Sequence, residues 1–205
     1  MVHAWDIRMR YAELQVTTHF SFLRGASSAD ELFATAKELG IEALGVVDRN
    51  SLAGIVRALE ASRATGVRLV VGCRLDLQEA MSILVYPTDR AAYSRLTRLI
   101  TFGKGRGGKD NCILQLDDLA LYSDGLIAIL VPDLPDELCA LHLRKMSEIF
   151  GDRAYVSLTL RRRPNDQMRL HEIANMAAKH RVRTVVTNDV LFHKPGRRQL
   201  QDVVT

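Results

Sequence analysis

Seven short runs of apolar and β-branched residues, separated by stretches of helical periodicity, constrain this chain more than any other feature. They cover residues 14–18, 43–48, 68–72, 82–87, 126–131, 155–160 and 183–189, and each reads as a strand. Most are apolar almost throughout instead of alternating. Strands covered on both faces have that pattern, so a mainly parallel sheet or barrel is expected. Strand and helix alternate along most of the chain, which places it in the α/β class. An open doubly wound sheet and a β/α barrel both fit, and periodicity does not choose between them.

The helices carry clear punctuation. Ser28 and Glu31 form a capping-box signature, Leu32, Phe33 and Ala36 follow on one face, and Gly40 stops the helix. Leu52, Ile55, Val56 and Leu59 repeat that apolar pattern up to Gly66. Leu170, Ile173, Ala174 and Ala177 give the segment 164–180 an inward face. Further helices are expected over 89–100 and 135–150. No internal repeat interrupts this series, and 205 residues with 47% apolar and 25% charged content suit a single domain over residues 1–205.

Other classes drop out on simple grounds. No apolar run approaches the roughly 20 residues needed to cross a bilayer, and the first ten residues lack the apolar core of a signal peptide. A cytoplasmic location without a membrane partner is therefore expected. Cys73, Cys112 and Cys139 are odd in number and form no CxxC pair, as reduced thiols would. A net charge of +4 with a pI near 9.1 permits a nucleic-acid partner without establishing one. Two basic segments are the candidates for a DNA contact. One is a Gly-rich loop with Lys104, Arg106 and Lys109; the other is Arg161, Arg162 and Arg163 after a strand.

Ligands of α/β folds bind beyond the carboxyl ends of strands. Asp48 and Asp189 stand there, and His19 and His193 also follow strands, so a weak His/Asp metal cluster is one reading. Aspartates at strand ends are also commonly turn formers and helix caps, which is the structural alternative. No GxxxxGK[ST], GxGxxG, HExxH or GxSxG motif is present. Trp5 reads as a packing anchor; His142, His171 and His180 read as helix-surface residues, and Met146, Met168 and Met176 as core or partner-facing filler.

Five segments in order then carry a resemblance: LQVTTHFSFLRGAS at 14–27, GVVDRNSLAG at 45–54, VVGCRLDL at 70–77, YPTDRAAYSRL at 86–96 and TNDVLFHKPGRRQLQDVV at 187–204. Together they resemble the PHP (polymerase and histidinol phosphatase) domain that opens bacterial DNA polymerase III α subunits, and in particular its error-prone branch. The resemblance implies a distorted seven-stranded, TIM-like β/α barrel, an excised piece of a much longer polymerase with its last helix incomplete. In metal-binding members the first motif reads like LHVHTEYS, and its histidines fall here on Gln15 and Thr17. The TDHG motif keeps Asp48 but has Arg49 in place of histidine, GCE becomes Gly72-Cys73-Arg74, and TNDVHY keeps Asp189 but has Leu191. A further family histidine corresponds to Arg161.

Arginine cannot serve as a metal donor. The resemblance thus implies a degenerate site without metal or catalytic residues, in which Arg49, Arg74 and Arg161 take the places of cations and pair with Asp48 and Asp189. The parent enzyme would be a translesion DNA polymerase using Mg²⁺. Its partners would be the rest of the polymerase chain, DNA through that chain, and other translesion-repair proteins. A metal-dependent phosphoesterase or 3′–5′ exonuclease is the rival reading, and a histidinol-type phosphatase a weaker third.

Overall fold

The computed structural model describes residues 10–109 and 111–205. Trp5 lies outside them. Eight strands form: β1 (Ala12–Val16), β2 (Ala43–Val46), β3 (Arg68–Val71), β4 (Cys73–Leu77), β5 (Met81–Pro87), β6 (Leu126–Leu130), β7 (Ala154–Thr159) and β8 (Arg183–Thr187). β1, β2 and β3 make a three-stranded parallel sheet. The other five follow chain order in a mixed sheet, with β4, β5 and β6 antiparallel to their neighbours and β6, β7 and β8 parallel.

The expected seven-stranded barrel is therefore corrected to two sheets holding eight described strands. Among the described residues no ladder runs between them; isolated bridges, Val16 to Val190 and Arg49 to Arg74, and side-chain hydrogen bonds link the two. The strand that sequence reading missed is β4. Its residues alternate between buried Cys73, Leu75 and Leu77 and half-exposed Arg74 and Asp76, so it lacks the continuous apolar signature of its neighbours. Gly72 separates it from β3, and a side chain at that glycine would meet Tyr86 and Val47 within 2.8 Å.

The described residues also form seven α-helices: α1 (Ala29–Glu38), α2 (Ile55–Thr65), α3 (Arg90–Gly107), α4 (Leu116–Leu121), α5 (Glu137–Phe150), α6 (Asp166–Lys179) and α7 (Arg198–Val204). The capping box of α1 forms as expected, with the Ser28 hydroxyl accepting from the Glu31 amide at 3.2 Å and Glu31 accepting from the Ser28 amide at 2.9 Å. In α2 the inward face is narrower than its apolar residues imply. Ala58 and Ala61 are buried while Val56 and Leu59 face solvent, because α1 lies close enough to admit only small side chains. Helix α3 runs past its expected end and absorbs Lys104 and Arg106, so the Gly-rich basic segment is a helical C-terminus and not a loop. His142 is also corrected: it lies on the inner face of α5.

Phe33 is fully buried in the core shared by Val16, Leu44 and Val46. Phe33→Ala should cost about 3–5 kcal/mol in urea unfolding, whereas Val56→Ala should stay within about 0.5 kcal/mol.

Candidate functional site at the strand ends

The loop after β1 and the loop after β2 are fastened to one buried carboxylate. Asp48 accepts from the Thr18 amide at 2.9 Å, the Thr18 hydroxyl at 2.8 Å and the Ser21 hydroxyl at 2.8 Å. Ser21 in turn accepts from the Arg49 amide at 2.9 Å. Burial pushes the Asp48 carboxyl above its ordinary range, and the Ser21 and Thr18 donors only partly offset this. All three donors are neutral. No arginine reaches Asp48 among the described residues, which departs from the ion pairing expected of Arg49 and Arg74. The turn behind these bonds is tight: a Cβ on Gly25 would stand 2.1 Å from the Thr18 carbonyl oxygen.

Asp189 has a different environment. Its backbone is left-handed, with φ 48°. One Arg24 amino group donates to both of its carboxylate oxygens at 3.0 Å, and the Gln15 amide donates at 2.9 Å. Gln15 also accepts from the Thr187 hydroxyl at 2.7 Å, and Thr187 lies 2.7 Å from the Thr159 hydroxyl. A polar chain thus runs from β7 through β8 and β1 to the loop arginine. Thr17 is buried, and its amide donates to the Val190 carbonyl at 2.9 Å. Behind Asp189, buried Glu13 accepts from the Tyr11 hydroxyl, from the Gln15 amide and from both nitrogens of Asn188.

Arg49 and Arg74 do converge, but on Asp76, at 2.6 Å and 3.0 Å. Burial alone would raise the Asp76 carboxyl; Arg74, Ser82 and Arg49 outweigh it and bring the net shift down. The geometric reason is β4 itself, which sets Arg74 and Asp76 side by side on one face, two residues apart, opposite the Arg49 bridge. Arg161 pairs with Asp133 and the Pro132 carbonyl, away from Asp48. Leu191 contributes its carbonyl to the Ala26 amide. His19 and His193 meet at Ser27, whose carbonyl lies 3.3 Å from the His19 ring and whose hydroxyl lies 2.8 Å from the His193 ring. They are joined to neither Asp48 nor Asp189 by a hydrogen bond. Among the described residues no three His, Cys, Asp or Glu side chains come together as a metal-ligand group.

The cleft of about 800 Å³ beyond β6, β7 and β8 is lined by Arg24, Arg74, Arg161, Arg163, Asp133 and Asp189, among others. Arg162 is exposed, with φ 56°, and its backbone amide donates to the Asp166 carboxylate at 2.8 Å. Of the other basic segment, Arg106 is taken up by Asp118 at 2.7 Å and by the Phe102 ring at 4.5 Å, while Lys104 and Lys109 are exposed. Sequence reading gave Arg24 no role, and it placed Thr18, Ser21 and Asp76 at strand ends, where a site should lie, without their partners. All four lie inside the quoted motifs, yet a substitution pattern names positions, not the partners that those positions acquire.

The PHP domain family matches residues 13–181. The chain belongs to the PHP family. Among its relatives, Error-prone DNA polymerase 2 of Rhizobium meliloti (strain 1021) is 82% identical over 197 residues, spanning 96% of this chain and 18% of that protein. The error-prone DNA polymerase of Caulobacter vibrioides is 45% identical over 95% of this chain and 18% of its own length. The PHP domain described here thus spans about a fifth of these relatives. Solved structures with the same fold include a candidate metal-dependent phosphoesterase from Bifidobacterium adolescentis, with TM-score 0.68, 13% identity, and 91% and 90% of the two chains covered. An amidohydrolase from Chromobacterium violaceum, solved with sulfate and no metal, gives TM-score 0.61 at 14% identity over 90% and 88% of the chains. At such identities the likeness concerns the fold alone. Among the described residues, no helix of this PHP domain is long and apolar enough to cross a membrane.

Asp48→Ala would strand one amide and two hydroxyls in a buried setting and should cost about 2–4 kcal/mol in urea unfolding. The Asp76 cluster stabilises the fold above the ordinary carboxylate pKa, and that contribution is lost as pH falls through its lowered value. Asp76→Asn should therefore remove part of the stability loss seen below about pH 4 in a pH series of thermal melts.

Proposed function

We propose that this PHP domain is a non-catalytic, structural part of an error-prone DNA polymerase III α chain, with ion pairs and hydrogen bonds where metal-binding members keep ligands. The observation that carries this reading is the clamp on Asp189. A carboxylate held by Arg24 on both oxygens and by the Gln15 side-chain amide has most of its lone pairs committed, and the guanidinium beside it repels a cation. Asp48, spent on Thr18 and Ser21, is likewise not presented to a metal. A di- or trinuclear centre needs clustered imidazole and anionic donors, and these residues do not fit one.

In this reading the domain itself needs no cofactor, and Mg²⁺ serves the polymerase domains of the longer chain. Its main partner is the remainder of that chain in the cytoplasm. DNA and other translesion-repair proteins are reached through the chain. The high identity to proteins named error-prone DNA polymerase supports the assignment. The rival, a metal-dependent phosphoesterase or 3′–5′ exonuclease, has the shared fold in its favour.

Elemental analysis of the purified protein separates the two readings. Less than one tightly bound ion per chain is expected; two or more zinc, manganese or iron ions would overturn the proposal. In parallel, wild type and Asp189→Asn with added Mn²⁺ should be equally inactive on a single-stranded 3′ end. The Arg24 and Asp189 side chains keep 26% and 30% exposure, so water screens their pair, and Arg24→Met should cost only about 1–2 kcal/mol of stability.

A further inference from the structure

On the other side of the β1–α1 loop from the Asp189 clamp lies a second cleft, of about 1030 Å³. Phe20, Phe22 and Leu23 line it from the loop after β1, Arg49, Asn50 and Ser51 from the loop after β2, and Lys104 from the end of α3. Phe22 leaves 88% of its surface in solvent. That exposure is not the product of a slack loop. The turn is closed by amide bonds from Ser21 to Thr18 and from Arg24 and Gly25 to Ser21, and Leu23 is fixed at φ 59°. Ser21 is tied to buried Asp48 as well. A large apolar ring carried into water on a hydrogen-bonded turn calls for a ligand with a flat apolar face.

The rest of the cleft says what else that ligand carries. Arg49 and Arg74 share the single charge of Asp76, so this triad stays net positive. Lys104 adds a second positive charge and has no carboxylate within ion-pair distance among the described residues. The Asn50 carbonyl oxygen is pinned by the Asp76 amide at 3.2 Å, which leaves its amide N–H₂ for an outside acceptor. A stacking ring, two cations and a free side-chain amide match single-stranded nucleic acid. Duplex DNA would offer the cations its phosphates but keep its bases stacked away from Phe22.

The geometry points to this cleft as a binding groove for single-stranded nucleic acid, with a base stacked on Phe22 and backbone phosphates at Arg49 and Lys104. The groove does not depend on the state of the Asp189 site, so its failure would leave the proposed function standing, and the reverse. Lys104 was singled out in the sequence for its charge. The structure supplies the aromatic platform facing the same space.

The test is fluorescence anisotropy of the purified chain with a labelled 15-nucleotide oligothymidine and with a duplex of equal length, both in EDTA. The single strand should bind more tightly than the duplex. Two phosphate contacts predict a roughly sevenfold loss of affinity between 50 and 200 mM salt, and Lys104→Ala should reduce that factor to about threefold. Phe22→Ala should weaken binding about tenfold and Phe22→Tyr should restore most of it. Because the ring is exposed, all three variants should melt with wild type. Equal affinity of wild type and Phe22→Ala, as expected if Phe22 instead docks on protein, would overturn the inference. Duplex binding as tight as single-strand binding would overturn it too.

Discussion

The buried Asp48 carboxylate is the bond on which the strand-end face depends. It closes no ion pair; it gathers one amide and two hydroxyls from a loop that starts at the end of a different strand. An ionised group in that position is costly unless its lone pairs find donors, and three donors offset part of that cost. The consequence spreads outward. Ser21 is fixed by Asp48 and then fixes the Arg49 amide, so the loops after β1 and β2 are tied to each other. Packing is part of the same device: a side chain at Gly54 would stand 2.7 Å from the Asp48 carboxylate and 3.1 Å from the Thr18 hydroxyl.

The two strand-end aspartates, Asp48 and Asp189, are thus used in opposite ways. Asp48 is neutralised by geometry, through dipoles. Asp189 is neutralised by charge, through Arg24, and its left-handed backbone turns the carboxylate toward that arginine and Gln15. The difference follows from depth. Asp48 is almost wholly buried, where an arginine would bring a second desolvation cost, whereas Asp189 keeps partial access to water and tolerates a charged partner.

Much of the fold was legible because its signals are local. The capping box at Ser28 and Glu31, the helical face around Ile173 and Ala177, and the apolar runs of β2, β5, β6 and β7 depend on neighbours a few residues away. What failed depends on distant contacts. β4 is held as a strand by pairing with β5 and the Arg49 backbone, and its five alternating residues are a shorter signal than the continuous apolar runs of its neighbours. Lys104 and Arg106 became helical because Gly103 and Gly107 pack closely against Cys112 and Leu114, where a side chain would collide. Glycine-rich sequence signals a loop only when nothing presses on it. The same limit governed the site: motif comparison located Gln15, Thr17, Arg49, Arg74 and Leu191, but pairing was decided by β4 register and by the turn that swings Arg24 over Asp189.

The arginines show why position is a poor guide to partnership. Arg49 and Arg74 occupy motif positions that point to Asp48 and Asp189, yet a nearer carboxylate was available in Asp76, on the same face of the same strand as Arg74. A long flexible side chain takes the closest anion that its backbone allows, since each extra rotamer fixed costs entropy. Arg24 reaches Asp189 from a turn so tight that Gly25 must follow it. The rigidity of that turn has a second effect: it carries Phe22 and Leu23 at its tip, and whatever holds Arg24 in place also holds that ring in solvent. The inward-facing clamp and the outward-facing platform are two faces of one loop, and the backbone hydrogen bonds of the turn hold both without either depending on the other.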